Sequence, residues 1–225
     1  MQTTSALYNQ ILADKNHRKV VKVDINSVTY TEANILSMNA TFDLLPEDAL
    51  TVGGTCSAKL ELTIIPQGET IPKMALIEPY VRLTDGTNTS EWLPQGKFYI
   101  YQRELDEDSG NLSIVAYDAM LKAEQTGYTD AETFPEAMDD LVADACTRMG
   151  VTLDSGTTIS HTLVCQFDST LSLREYLSYV AVAHGGNWKI TEEGKLALVD
   201  GFPTDSLLID HEGNVITFGG IGIYV

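Results

Sequence analysis

Apolar and polar residues alternate along much of the first 120 positions, and a two-residue period cannot be buried by an α-helix. Leu36, Met38, Ala40 and Phe42 alternate with Ser37, Asn39, Thr41 and Asp43. Ala58, Leu60, Leu62 and Ile64 do the same with Ser57, Lys59, Glu61 and Thr63. Phe98, Ile100 and Gln102 alternate with Tyr99, Tyr101 and Arg103, and the pattern resumes at Leu112, Ile114 and Ala116 beyond Asp108-Ser109-Gly110-Asn111, which reads as a hairpin. Each run has one apolar and one wetted face, as antiparallel strands require. Residues 20–28 read as one further strand, and residues 75–84 as another, turned by Asp85-Gly86-Thr87. About seven strands therefore fall within the first 120 residues, with Gly53-Gly54 and Pro66-Gln67-Gly68 as punctuation and no helix between them. The expectation is an antiparallel β-barrel or sandwich, and a barrel accounts for a self-contained module because closure removes edge strands.

Asp118 stands where the last of these strands hands over to a helix, its carboxylate placed to cap N–H groups ahead of Met120 and Leu121. Beyond Gln125 the period becomes helical. Thr133-Phe134-Pro135-Glu136 has the form of a capping box, and Met138, Leu141, Val142, Ala145, Cys146 and Met149 follow at helical spacing up to Gly150. Ser172 and Glu175 open a second helix, with Leu173, Tyr176, Leu177, Val180, Ala181 and His184 on one face and Gly185-Gly186 at its end. Residues 187–190, the turn 191–194 and residues 195–199 form a hairpin. The predicted class is β-rich α+β: a barrel over 1–122, an α+β unit over 123–200, and the opening strands of a possible second barrel over 201–225.

Composition bounds the function. No run of about 18 apolar residues occurs and the first residues lack an apolar export core, so a soluble chain without membrane insertion is expected. Cys56, Cys146 and Cys165 contain no C-x-x-C pair and read as reduced, mostly buried thiols. The 14 basic and 32 acidic residues give a net charge of −18, which repels a phosphate backbone and argues against a nucleic-acid-gripping protein.

Two stretches carry a family likeness. Trp92-Leu93-Pro94-Gln95-Gly96-Lys97-Phe98-Tyr99-Ile100, followed by Ala116-Tyr117-Asp118-Ala119-Met120-Leu121-Lys122, resembles the N-terminal region of phage and prophage tail proteins of the baseplate-hub type. The segment from Ser172 to Val199 resembles the part of the same family that follows its first barrel. The resemblance implies a structural subunit of a virion tail, assembled with itself as a homotrimeric ring and with other tail proteins. DNA would pass through the lumen without specific binding. In that family a second barrel follows, of which residues 206–225 would supply only the opening strands, so either the 225 residues are a fragment or the resemblance ends there.

No arrangement of catalytic residues emerges, so neither enzymatic activity nor a cofactor or metal is expected. Glu104, Asp106, Glu107 and Asp108 supply carboxylates but crowd a turn, where solvated acids are the ordinary outcome. His161 and Cys165 share a strand face without a third ligand, and His184 sits where a histidine commonly caps helix carbonyls. Gly219-Gly220-Ile221-Gly222 lacks the lysine of a phosphate loop, and Asn88-Thr89-Ser90 reads as a polar turn. Trp92 and Trp188 each adjoin a strand, where packing is the commoner use and stacking on a sugar the alternative. The remaining alternative class is a tail protein associated with a cell-wall hydrolase. The candidate interface is Trp92 together with Lys15, Arg18 and Lys19, a basic cluster that follows a short amphipathic arm over Ala6, Leu7, Tyr8, Ile11 and Leu12. Residues 101–150 carry 3 basic and 12 acidic residues, an opposite charge to which that cluster is complementary.

Overall fold

Ser5 starts the first helix, α1 (Ala6–Ala13), by accepting a hydrogen bond from the Tyr8 N–H, and only Ile11 of this arm is buried. The computed structural model describes residues 4–43, 52–125, 136–159, 164–165, 171–200, 217–218 and 221–222. Eight strands make the main sheet: β1 (Arg18–Ile25), β2 (Val28–Thr31), β3 (Ile35–Thr41), β4 (Lys59–Ile64), β5 (Leu76–Thr84), β6 (Leu93–Pro94), β7 (Phe98–Leu105) and β8 (Leu112–Tyr117). Their order is β2-β1-β5-β7-β8-β4-β3, with β6 added to β5, and every ladder is antiparallel.

The ends of that path are consecutive in sequence. From Thr31 to Ile35 the chain can reach at most about 14 Å, whereas seven strands laid flat would stand about 29 Å apart from first to last. The sheet must therefore curl until β2 and β3 face each other. Val28, Ile35, Met38 and Ala40 pack on the same core as Val23, Ile25, Leu60, Leu62, Ile77, Phe98 and Ile114. Gln67 Nε2 donates to the Thr29 carbonyl (3.2 Å) beside this seam. No ladder joins β2 to β3 among the described residues, and the curled antiparallel sheet is the β-rich architecture that the alternation predicts.

Two local readings change. The run 20–28 is not one strand, because Asn26 and Ser27 take positive φ (47° and 71°) and turn it into a two-residue hairpin with Ile25 opposite Val28. Such turns match the twist of the flanking strands, and asparagine tolerates the left-handed region. In β3 a register shift between Ile35 and Ser37 puts Leu36 outside the core, 53% exposed, against the strict alternation.

The second half forms its own layer: α2 (Met120–Gln125), β9 (Glu136–Ala137), α3 (Met138–Met149), β10 (Thr152–Leu153), β11 (Val164–Cys165), α4 (Leu173–Ala183), β12 (Gly186–Ile190) and β13 (Lys195–Asp200). Two further two-residue strands, β14 (Thr217–Phe218) and β15 (Ile221–Gly222), pair with each other. The Ser172–Glu175 capping box is present in full. Glu136, expected as the third residue of a capping box, instead pairs in extended form with Cys165, and α3 starts at Met138 without a side-chain cap; Thr133, Phe134 and Pro135 lie outside the described residues. Gly150 closes α3 in the left-handed conformation, φ 68°. Met120 and Ala123 of α2 join Met138, Leu141, Val142, Leu177, Val180, Trp188 and Leu196 in a second core.

A strip of backbone ties the two layers together. Gly53 N donates to Gly186 O (2.9 Å), Trp188 N to Gly54 O (2.8 Å) and Cys56 N to Trp188 O (3.0 Å), so residues 53–56 run parallel to β12 as an added edge. Arg174 of α4 clamps the strip, its Nη2 donating to Thr55 O (2.6 Å) and its Nη1 facing Glu124 (3.3 Å).

Candidate interface

The register of β1 against β5 decides which charges share a face. Arg18, Val20, Lys22 and Asp24 lie opposite Thr84, Arg82, Tyr80 and Glu78 on the outer face, whereas Lys19, Val21, Val23 and Ile25 oppose Leu83, Val81, Pro79 and Ile77 on the inner one. Trp92 directly precedes Leu93, which pairs with Val81, and this brings the indole beside the outer face. The Arg82 guanidinium carbon lies 4.3 Å from the Trp92 ring centroid and Lys22 Nζ 5.4 Å from it, while Lys22 Nζ is also 4.4 Å from the Tyr80 centroid. Each such contact is worth about 0.5–1 kcal/mol at an exposed site. Val20, Lys22, Glu32, Arg82 and Trp92 line a shallow depression there.

The surroundings fix this arrangement. Glu91 accepts from the Ser5 backbone N–H (2.7 Å) and hydroxyl (2.5 Å), which anchors the cap of α1 next to Trp92 and holds the Glu91 carboxyl below the usual range. Lys22 Nζ is 3.2 Å from Asp24. Arg82 Nε is buried without a hydrogen-bond partner among the described residues.

The basic cluster Lys15, Arg18 and Lys19 is spread over more than one face. Arg18 shares the Trp92 face but is paired with Glu32; Lys19 belongs to the opposite face of β1; Lys15 lies exposed in the turn between α1 and β1. Lys22 and Arg82, which the sequence did not single out, are the cations that meet Trp92. Their signal was the parity of β1 and β5, readable only once the two strands are registered.

The other candidates fall to ordinary roles. Asp106 accepts from the Asp108 N–H (3.0 Å) and the Ser109 hydroxyl (2.6 Å), bonds that build the β7–β8 turn and lower its pKa. Trp188 is fully buried and its Nε1–H donates to Leu177 O (2.7 Å), so it offers no face for a sugar. His184 Nδ1 lies 2.9 Å from Val180 O at the end of α4. Burial pushes the Cys56 thiol up and the Cys146 thiol to about 11, away from a reactive thiolate. His161, Gly219 and Gly220 lie outside the described residues, as do most of residues 201–225. Among the described residues no three His, Cys, Asp or Glu side chains are grouped to hold a metal, and no helix is long and apolar enough to cross a membrane.

Solved structures share the fold. The prophage MuSo2 43 kDa tail protein from Shewanella oneidensis matches 89% of this chain at 11% identity with a TM-score of 0.54. The tail protein from Neisseria meningitidis MC58 matches 88% at 12% identity with a TM-score of 0.55. A chain of the Francisella PdpA–VgrG complex matches 85% at 12% identity with a TM-score of 0.50. The matched regions span 61% and 58% of the two tail proteins, so this chain has the fold of about three fifths of each. No family model and no curated protein matches the sequence.

Proposed function

We propose that this chain is a structural subunit of a phage or prophage tail, of the baseplate-hub type, which works by assembly and not by turnover. One observation carries the reading: the fold, curled antiparallel sheet and α+β layer included, matches two tail proteins over 89% and 88% of the chain. In this reading residues 1–122 act as a barrel unit, 123–200 as an α+β unit and 201–225 as the opening of a second barrel. Three copies form a ring between tail tube and tip, in contact with other tail proteins, and its site of action is the virion tail. A chain of charge −18 suits a lumen through which DNA slides without sticking.

The experiment is electron microscopy of a longer chain that contains this sequence. A threefold ring with a central opening is expected, and particles without rotational symmetry would overturn the proposal. A cell-wall hydrolase finds no support in the exposed turn acids, and a sugar-binding module loses Trp188 to the core.

A further inference from the structure

Among the described residues β5 and β7 pair at Ile77–Phe98 and Leu76–Tyr99, near the start of each strand, and Ile100 N donates to Ala75 O (3.2 Å) just beyond. From that junction β5 runs to Arg82 in one direction and β7 to Leu105 in the other, five and seven residues away. The Trp92 patch and the β7–β8 turn are thus about 40 Å apart along the strand direction. Beyond Ile100, β7 is paired with β8 on one side and with no strand on the other among the described residues, while β8 stays paired with β4 as far as Leu112, so β7 is an open edge of the sheet there and the turn at 106–111 extends beyond it. Every residue from 101 to 110 is exposed, including Tyr101 at 60% and Leu105 at 55%. Glu104, Glu107 and Asp108 flank Leu105 in sequence, whereas at the far end Lys22 and Arg82 meet Trp92 beside Val20, with Glu32, paired to Arg18, in the same depression and Asp24 3.2 Å from Lys22, which leaves Arg82 as the cation without a carboxylate partner among the described residues.

Opposite charges mixed with apolar side chains are what complementary docking surfaces present, and these two cannot meet within one copy. We infer that the acidic tip of the β7–β8 hairpin of one copy docks on the Lys22–Arg82–Trp92 patch of a second copy. The inference rests on the ring reading and names the two surfaces that form its contact. Such a head-to-tail contact leaves a free tip at one end and a free patch at the other, so it propagates until it closes.

Two neutralised variants test it. K22Q/R82Q removes the patch, and E104Q/E107Q/D108N removes the tip while sparing Asp106, which builds the turn. Sedimentation velocity at low and high salt is expected to show salt-sensitive self-association of the unaltered chain, weakened about tenfold or more in each variant alone. An equal mixture of the two variants is expected to give a 1:1 dimer that grows no further, since it holds one intact tip and one intact patch. Formation of that dimer also proves both variants folded. A mixture that stays monomeric overturns the docking. Variants that associate as well as the unaltered chain also overturn it, and leave the ring reading to stand on some other surface. An unaltered chain that stays monomeric at high concentration and low salt overturns the docking as well, while the imaging of a longer chain judges the ring separately.

Discussion

The Asp118 carboxylate accepts a hydrogen bond from the Ala58 backbone N–H at 2.7 Å, joining the end of β8 to the lead-in of β4. The same carboxylate accepts from Ser57 Oγ (2.9 Å) and from Met120 N (2.9 Å), the first turn of α2. One side chain therefore fixes both the sheet and the helix that leaves it. Burial raises its pKa to about 6, and the three hydrogen bonds with the nearby Arg174 charge only partly offset that rise.

The sign of the resulting pH dependence is definite. Between about pH 4 and 6 the folded chain holds a proton on Asp118 that the unfolded chain has released, so this group's contribution is full below pH 4 and lost as pH rises through 6. Its size is about 3 kcal/mol. Denaturant unfolding from pH 4 to 7 is expected to show this term in the unaltered chain and not in D118N. An identical pH slope in the two would assign the term to another group.

Asp118→Ala is expected to cost more than D118N near pH 7, by about 1–2 kcal/mol, because the alanine leaves both the Ala58 N–H and the first turn of α2 without an acceptor while the amide keeps one oxygen. Equal losses in urea melts would show that the cap on Met120 contributes nothing.

Trp188→Phe removes the Nε1–H donor to Leu177 O and leaves a void in the second core. A loss of about 2–4 kcal/mol is expected, with near-ultraviolet circular dichroism still reporting a folded chain. A change below about 0.5 kcal/mol would mean that the core closes around the smaller ring.

Gly53 has φ +91°, and a Cβ built on it would lie 2.3 Å from Val182 Cγ2. G53A is expected to lower the melting temperature by several degrees through strain and overlap at one point. The double variant G53A/V182A should recover the overlap part but not the strain. Full recovery in the thermal scan would refute the role of φ.

Much of the sheet was legible because β4 and β8 keep an unbroken two-residue parity that only a half-buried strand satisfies. The Asn26-Ser27 turn was not, since it lacks the glycine that usually marks such a turn. The displaced Leu36 left no mark either, because a bulge changes pairing and not composition. Trp92 stood out by its residue type, but its cations come from positions 22 and 82 and required the pairing of two strands. The strip 53–56 beside β12 joins segments far apart in sequence through backbone atoms, which every residue possesses, so its only local trace was Gly53-Gly54.

That strip also sets an order of events on the ribosome. Gly54 N bonds to Asn187 Oδ1 across 133 residues, so the strip waits for its partner strand while the intervening chain is made. At about 5–20 residues per second that wait is about 7–27 s. During it the nascent chain presents an unmatched edge, and α2 has neither Trp188 nor Leu196 to pack against. A premature stop upstream of residue 186 would hold the polypeptide in that state permanently, and such products are expected to be cleared by proteases or to aggregate through the strip.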